Sequence, residues 1–308
     1  MSFQPSSLQG MFPALPTPVD PSGRFDARAL GVLVDYLFDG GMAGVVALGG
    51  TGEYLALLPD ERIEVVRATV QATRGRGPVI AGVLAPGFRE AVRDGKALRA
   101  AGADLLMLVT PYYVASTQSA LREYFAAYAD AVGAPTLLYD IPYKTMVTVQ
   151  PQTIAGMVDD GSIVGMKACN PDIGHFLQVA ALVGERIAVL SGEDHLLPVH
   201  VAAGARGSVH ATANLFPRQC RRIFELARGG RSGDALRALH GMHELLQAVF
   251  AEGNPGPLKE ALAMIGLPVG CALRPLAPPG AELRRRLLPL VQQLQQRERE
   301  LAGQAGAA

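Results

Sequence analysis

The feature that most constrains the fold of this chain is a regular alternation of short apolar segments with longer segments of helical period. The apolar segments have almost no polar interruption, as expected of parallel strands that helices cover on both faces. The predicted strands are residues 10–19, 44–49, 78–83, 104–110, 135–141, 163–168, 187–191 and 207–212.

The segments between these strands repeat apolar residues every three or four positions, which is typical of amphipathic helices. Eight consecutive strand–helix units in about 220 residues predict a closed (β/α)8 TIM barrel, whereas an open doubly wound sheet rarely needs eight parallel units in a row. We therefore predict an α/β protein in which residues 10–228 form a barrel and catalytic domain and residues 229–308 form a C-terminal helical extension. Helical patterns in the extension cover residues 234–250, 256–265 and 281–301.

Charge and cysteine content argue against several kinds of partner and location. Basic and acidic residues number 28 each, and no basic stripe indicates nucleic acid or a membrane surface as a partner. Residues 1–10 are polar and lack the apolar segment of a signal peptide. Cys169, Cys220 and Cys271 form no CxxC pair, so a reduced, cytoplasmic setting is expected.

The histidines and glycines give no sign of a metal or nucleotide cofactor. The six histidines contain no HExxH motif or spaced ligand cluster, and no Walker loop or dinucleotide fingerprint is present. His210, in the eighth predicted strand, is expected to be an interior histidine with a hydrogen-bond partner. His240 and His243 are expected to share a face of the helix predicted at 234–250.

Lys167 is the strongest candidate for chemistry. The chain has only four lysines, Lys96, Lys144, Lys167 and Lys259, and Lys167 alone lies within an apolar strand. Burial disfavours the charged form of an amine, so we expect a lowered pKa and a neutral amine able to attack a ketone. A lysine paired with an acid at a strand end is the alternative interpretation.

Other polar groups follow the strands at the carboxyl end of the barrel, where active sites of this fold lie. The glycine-rich turn at residues 49–53 can direct backbone N–H groups at a carboxylate or phosphate. Tyr139 and Tyr113 could move protons, and Thr51 could bridge the two phenols. Lys144, in a predicted loop, suits the binding of an anion.

Seven motifs in order carry a resemblance to a known family. The chain resembles the dihydrodipicolinate synthase / N-acetylneuraminate lyase family of pyruvate-dependent class I aldolases over roughly residues 10 to 290. The motifs are GGTGE (49–53), TPYY (110–113), YDIP (139–142), GMKA (165–168), SGED (191–194), ATAN (211–214) and NPGPLKEAL (254–262).

The resemblance implies roles for individual residues. Lys167 falls on the lysine that forms a Schiff base with pyruvate, and Tyr139 on the tyrosine that passes protons beside the bound keto acid. Thr51 matches the threonine of the relay and carboxylate site, and Tyr113 the tyrosine that a second subunit donates across a dimer interface. Two further positions match residues whose backbone lines the lysine pocket, Gly192 and Val209.

Two of the predicted site residues, Gly50 and Lys144, depart from the family pattern. Gly50 replaces a hydroxyl residue in the turn, so carboxylate binding would depend on the backbone N–H groups of Gly50 and on Thr51. Lys144 stands where synthases of the lysine pathway carry an arginine that holds the second substrate, and a lysine binds as a point charge rather than as a bidentate fork.

The resemblance implies a lyase that needs no cofactor other than its own lysine, with small 2-oxo acid and aldehyde substrates and a homotetrameric or homodimeric assembly. The leading expectation is 4-hydroxy-tetrahydrodipicolinate synthase activity, the condensation of pyruvate with aspartate semialdehyde. A 2-keto-3-deoxy sugar acid aldolase or dehydratase, and an N-acetylneuraminate lyase-like enzyme, remain open. A catalytically silent keto-acid sensor is the alternative from another class, although a mere binder needs neither the amine nor the tyrosine.

Overall fold

Eight parallel strands form the centre of the molecule, and the computed structural model describes residues 8–305. Each strand residue except the first of β1 is buried, because helices cover the outer face and side chains fill the interior. The strands are β1 (Gly10–Pro13), β2 (Val45–Ala47), β3 (Val79–Val83), β4 (Leu105–Val109), β5 (Thr136–Asp140), β6 (Gly165–Ala168), β7 (Ala188–Ser191) and β8 (Gly207–His210).

The sheet closes on itself. Strands pair in the order β1-β8-β7-β6-β5-β4-β3-β2, with Gly10 opposite Gly207 where β1 meets β8. A parallel bridge between Ala14 and Val46 joins the other edge of β1 to β2. This closure confirms the predicted (β/α)8 barrel and rules out the open doubly wound sheet.

Thirteen α-helices are described within residues 8–305, and their starts follow local chemistry. The Asp26 side chain accepts a hydrogen bond from the N–H of Ala29 at the start of α1, and Pro59 opens α2. The helices of the barrel region are α1 (Ala27–Asp39), α2 (Pro59–Thr73), α3 (Phe88–Ala100), α4 (Gln118–Val132), α5 (Pro142–Thr145), α6 (Pro151–Asp159), α7 (Ile173–Val183), α8 (Leu197–Ala202) and α9 (Pro217–Arg228).

The first strand is shorter than predicted. Strand β1 ends at Pro13, and two more prolines follow at positions 16 and 18. Proline has no N–H for a strand ladder, so the chain leaves the sheet although the segment is apolar. The backbone of Leu15 still donates to the carbonyl of Val46 at 2.9 Å, which keeps this segment against the barrel mouth.

The extension is helical, as expected, but its first helix was predicted wrongly. The segment at 234–250 forms two helices, because α10 ends at His240 and the N–H of the following Gly241 returns to the carbonyl of Arg237. His240 and His243 therefore lie on different helices, and both are exposed. The extension comprises α10 (Ser232–His240), α11 (His243–Val249), α12 (Gly256–Met264) and α13 (Ala281–Ala305).

The predicted domain boundary at residue 229 remains a prediction, and the last three residues of the predicted extension lie outside the described part of the chain. Helix α13 packs against α9, α11 and α12, so the extension shares the apolar core of the barrel helices. None of the helices in residues 8–305 combines the length and apolar character needed to cross a membrane.

Candidate active site

Lys167 and Tyr139 lie side by side at the barrel mouth. They are register partners in β6 and β5, so their side chains leave the sheet on the same face. Lys167 is 7% exposed, and its Nζ donates to the Oη of Tyr139 at 3.4 Å. The fold thus places an amine next to a phenol in a site that is nearly closed to water.

The protonation of Lys167 differs from the sequence prediction. Burial lowers the pKa of Lys167, but the Tyr139 phenol, the Cys169 thiol and the Asp194 carboxyl oppose this effect and raise the pKa above its ordinary value. The predicted lowering is therefore wrong, because it considered the apolar strand and not the polar groups that the fold gathers around the amine. In the free site the ammonium is the resting form.

The phenol of Tyr139 is placed to accept a hydrogen bond from the ammonium of Lys167. Burial raises the pKa of Tyr139 to about 12, while the neighbouring Lys167 acts to lower it. The phenol is therefore protonated at neutral pH, so its oxygen can accept from the ammonium while its O–H donates elsewhere. A neutral, buried phenol beside an amine suits proton transfer rather than charge pairing.

The predicted pocket-lining positions lie on the two strands that follow β6. Gly192 comes directly after β7, and a Cβ atom there would lie 2.2 Å from the Sγ of Cys169 and 2.8 Å from the carbonyl oxygen of Ala168. Only glycine fits this close approach. Val209 is fully buried in β8. The strand that precedes Gly192, β7, lies next to the lysine strand β6, and β8 lies one strand further round the barrel. Contact of Gly192 and Val209 with substrate remains a prediction.

The turn after β2 offers a site for an anion. Gly50 is exposed with open space around it, and within residues 8–305 neither its N–H nor that of Thr51 donates to a backbone carbonyl. The Thr51 hydroxyl is buried and accepts from Nδ2 of Asn254 at 3.0 Å. Two N–H groups at a glycine turn can bind a carboxylate.

Within one subunit, in the described part of the chain, hydrogen bonds do not connect the residues of the predicted proton relay. Among residues 8–305, no hydrogen bond links Thr51 to Tyr139; Thr51 accepts from Asn254, and Tyr139 accepts from Lys167. Tyr113 is 98% exposed and has a left-handed backbone, with φ of 74°. A catalytic role for Tyr113 therefore requires a second subunit, as the family resemblance implies.

Lys144 lies in the short helix α5 rather than in the predicted loop. Pro142 starts this turn of helix, and the N–H groups of Lys144 and Thr145 donate to the carbonyl of Ile141. Lys144 is exposed at the barrel rim. Its role as an anion-binding residue remains a prediction.

A buried ion pair that the sequence analysis missed holds the glycine-rich turn. Nζ of Lys259, on α12, lies 2.5 Å from Oε2 of Glu53, with side chains 1% and 2% exposed. Glu53 also accepts from the N–H of Leu273 at 2.5 Å, and Lys259 donates to the carbonyl of Cys271 at 2.8 Å. The GGTGE and NPGPLKEAL motifs contain the two charges, but nothing local indicates that they meet.

Two more residues at the barrel mouth, Tyr143 and Glu193, were given no role from the sequence. Tyr143, the neighbour of Lys144 on α5, donates from its hydroxyl to Oε1 of Glu193 at 3.0 Å. Glu193 follows Gly192 after β7, within the SGED motif. Its position in that motif was the available signal, but its partner on α5 could not be identified before the fold was known.

Two histidines of the barrel, His200 and His210, form a buried cluster with Ser191. His210 is buried, as predicted for an interior histidine, and its Nε2 lies 3.3 Å from the hydroxyl of Ser191. The same hydroxyl lies 2.9 Å from Nδ1 of His200 on α8. Among residues 8–305, no group of three or more His, Cys, Asp or Glu side chains is arranged to hold a metal ion.

The fold and this site together define a class of protein. A closed parallel barrel with a buried lysine beside a tyrosine at the carboxyl ends of its strands is the arrangement of a class I aldolase. The model of the "Dihydrodipicolinate synthetase family" matches residues 7–294, and the chain belongs to this family.

Relatives and solved structures agree with this assignment. The chain is 36% identical over 272 residues to the 4-hydroxy-tetrahydrodipicolinate synthase of Anaeromyxobacter sp. (strain K), covering 88% of this chain and 92% of the relative. It is 38% identical over 274 residues to that of Acidiphilium cryptum (strain JF-5), covering 88% and 93%. The pyruvate complex of the chloride-inhibited dihydrodipicolinate synthase from Acinetobacter baumannii superposes with a TM-score of 0.90 at 31% identity, covering 93% and 99%.

Proposed function

We propose that this protein is a 4-hydroxy-tetrahydrodipicolinate synthase that condenses pyruvate with aspartate semialdehyde through a Schiff base on Lys167. The observation that carries the proposal is the buried contact of 3.4 Å between Nζ of Lys167 and the phenol of Tyr139. The names of the relatives support the choice of second substrate.

The first half-reaction follows from the chemistry of the amine. Lys167 loses a proton, its nitrogen attacks the keto carbon of pyruvate, and the keto oxygen leaves as water with the two protons of the neutral amine. Tyr139 carries protons between nitrogen and oxygen, since its phenol is protonated and touches Nζ. The N–H groups of Gly50 and Thr51 hold the pyruvate carboxylate, and the backbone at Gly192 and Val209 shapes the pocket.

The second half-reaction joins the enamine to an aldehyde. A methyl proton of the imine passes through Tyr139, which gives an enamine with a nucleophilic carbon. This carbon attacks the aldehyde carbon of aspartate semialdehyde, and the aldehyde oxygen takes up a proton to become a hydroxyl. Lys144, exposed at the rim, attracts the carboxylate of that substrate. Neither step needs a metal ion or a nucleotide, and we propose that the reaction takes place in the cytoplasm.

Sugar-derived substrates are the second candidate, and Gly50 is the observation that favours them. The open space around Gly50 leaves room for an aldehyde with a longer hydroxylated chain. A panel of aspartate semialdehyde, glyceraldehyde and 2-keto-3-deoxy sugar acids decides between these activities. Turnover of aspartate semialdehyde no faster than glyceraldehyde would remove the leading proposal.

Borohydride trapping tests the Schiff base. Reduction in the presence of pyruvate should add one pyruvate-derived group to the peptide that contains Lys167, and Lys167→Arg should abolish it, because a guanidinium cannot form the imine. Lys96→Arg is the matched control, since Lys96 is exposed on α3. Unchanged trapping in the Lys167 variant would overturn the mechanism, and pyruvate binding without exchange of its methyl protons would indicate a silent sensor.

A further inference from the structure

The backbone of the glycine-rich turn after β2 is held at two residues that follow Thr51. The hydroxyl of Thr17 donates to the carbonyl of Gly52 at 2.6 Å in a buried contact. The carboxylate of Glu53 forms the buried pair with Lys259 on α12 at 2.5 Å. Because these contacts fix the backbone, what the side chain of Thr51 can bind depends on the direction of its hydroxyl proton.

The hydroxyl proton of Thr51 has no acceptor in the described part of the chain. A hydroxyl carries one donor and two acceptor positions. Oγ1 of Thr51 accepts from Nδ2 of Asn254 at 3.0 Å, and among residues 8–305 its O–H donates to no other group. Thr51 is only 6% exposed, and a buried donor without an acceptor is costly. The hydroxyl is therefore suited to donate to a bound ligand.

The side chain of Asn254 is committed to this contact. Asn254 lies in the extension, between α11 and α12. Its Oδ1 is buried and has no hydrogen-bond partner within residues 8–305, so the bond from Nδ2 to Thr51 is the one that its side chain makes there. A buried amide that serves packing alone usually has partners at both ends. The contact with Thr51 is therefore the feature that calls for an amide at this position.

We infer that Asn254 is a positioning residue, which donates to Oγ1 of Thr51 and thereby directs the Thr51 hydroxyl proton to the carboxylate of the bound 2-oxo acid. The inference rests on the proposed function and adds to it a residue of the C-terminal extension. The carboxylate would then accept from three donors of one turn, the N–H groups of Gly50 and Thr51 and the Thr51 hydroxyl, and hydrogen bonds to a charged acceptor are the strong ones.

Asn254→Asp tests the direction of this hydrogen bond. A carboxylate has the shape of the amide but can only accept, so the Thr51 hydroxyl must turn towards position 254 and away from the substrate. We expect the pyruvate concentration for half-maximal borohydride trapping to rise roughly 10- to 100-fold, the usual effect of losing a hydrogen bond to a charged group. The trapping rate at saturating pyruvate should stay within about threefold of wild type, because binding rather than chemistry is impaired.

The matched control for the added charge is Ala251→Asp. Ala251 is exposed and lies three residues earlier on the same segment, so this variant adds a carboxylate without altering the contact with Thr51. Its half-maximal pyruvate concentration should equal that of wild type. Urea midpoints of both variants show whether either one is unfolded under the assay conditions.

A double-mutant cycle with Thr51→Val separates positioning from charge repulsion. Valine keeps the shape of threonine and has no hydroxyl, so Thr51→Val alone should also raise the half-maximal pyruvate concentration. In the Thr51→Val background, Asn254→Asp should add less than about twofold, because Asn254 acts through the hydroxyl. A carboxylate that repelled pyruvate directly, or a general loss of structure, would act equally in both backgrounds.

Asn254→Leu is a neutral second variant, which decides the matter if the acidic one does not fold. It removes the donor and leaves the Thr51 hydroxyl free to rotate. We expect a rise of roughly fivefold in the half-maximal pyruvate concentration, the net effect of one neutral hydrogen bond, and again no rise in the Thr51→Val background.

The outcomes separate this inference from the proposed function. A wild-type value in Asn254→Asp, or equal rises with and without the Thr51 hydroxyl, would overturn the inference. The trapping assay contains no aldehyde, so if aspartate semialdehyde is not a substrate the proposed function fails by itself, and the cycle still decides the role of Asn254. If a 2-keto-3-deoxy sugar acid traps the wild type and pyruvate does not, the same cycle is run with that acid. A wild type that no 2-oxo acid traps would overturn both.

Discussion

At the scale of single residues, the lysine pocket depends on close approaches as much as on polar groups. Burial lowers the pKa of the Lys167 amine, whereas the neighbouring Tyr139, Cys169 and Asp194 raise it. Space around it is limited as well, because Gly192 lies against the Sγ of Cys169, which donates to its carbonyl at 3.4 Å. Addition of a single methyl group at Gly192 should therefore disturb the lysine pocket.

Gly192→Ala should impair the pocket without a change of charge. The new Cβ would lie 2.2 Å from Sγ of Cys169 and 2.8 Å from a backbone oxygen, so strand β7 or β6 must shift, at a cost of about 1–3 kcal/mol. We expect at least tenfold slower borohydride trapping with pyruvate and a lower urea midpoint. Gly31→Ala on α1, where a Cβ meets nothing within 4 Å, should keep or slightly raise stability. Wild-type trapping by Gly192→Ala would refute the steric argument.

At the scale of elements, the C-terminal extension is part of the site because it holds the turn that follows β2. Asn254 donates to Thr51 from the segment before α12, and Lys259 on α12 forms the buried pair with Glu53. Removal of one partner from a buried ion pair leaves an uncompensated buried charge, which strongly destabilises the folded protein. The position of the predicted carboxylate site therefore depends on helices outside the barrel.

Breaking this pair should destabilise the protein strongly. Lys259→Met leaves the Glu53 carboxylate buried beside no cation, and we expect a loss of about 3–5 kcal/mol in the free energy of unfolding, measured by urea titration. Glu53→Gln combined with Lys259→Met should recover part of this loss. The control is Glu260→Gln on the same helix, whose partner Arg284 is 56% exposed, with an expected loss under about 1 kcal/mol. Equal losses from Lys259→Met and Glu260→Gln would contradict this account.

At the scale of the whole molecule, exposed apolar side chains gather at one side of the barrel mouth. They follow three neighbouring strands, β2, β3 and β4, so their loops are adjacent in space. Apolar groups exposed in such numbers mark interaction surfaces, which supports the predicted homodimer or homotetramer and a Tyr113 donated to the neighbouring subunit. The set is Leu55, Leu58, Phe88, Tyr113 and Val114.

A charged side chain introduced on this apolar surface should dissociate the predicted oligomer. Leu58 is 68% exposed in one subunit, and Leu58→Asp should shift the protein towards monomers in sedimentation velocity, because an interface would bury the new carboxylate. Turnover should fall with dissociation, since Tyr113 would no longer reach a partner site. Leu288→Asp on α13, another exposed leucine, should change neither property. A wild type that sediments as a monomer would disprove the predicted assembly.

The sequence alone determined the barrel and the helices that follow it, and it identified Lys167 as the candidate for the chemistry, because these depend on local signals. Apolar alternation reports burial of strands and helices, and a lysine in an apolar strand is conspicuous in a chain with four lysines. The break at Gly241 and the early end of β1 at Pro13 were missed, since continuous apolar patterns concealed the effects of single glycines and prolines.

Only the tertiary structure decided which groups meet at the mouth. Glu53 pairs with Lys259, Glu193 with Tyr143, and the pKa of Lys167 rises instead of falling. Each result depends on distances between segments far apart in the chain. Pattern and propensity specify which face of an element is buried, whereas electrostatic interactions depend on the neighbours that barrel closure brings within a few ångströms.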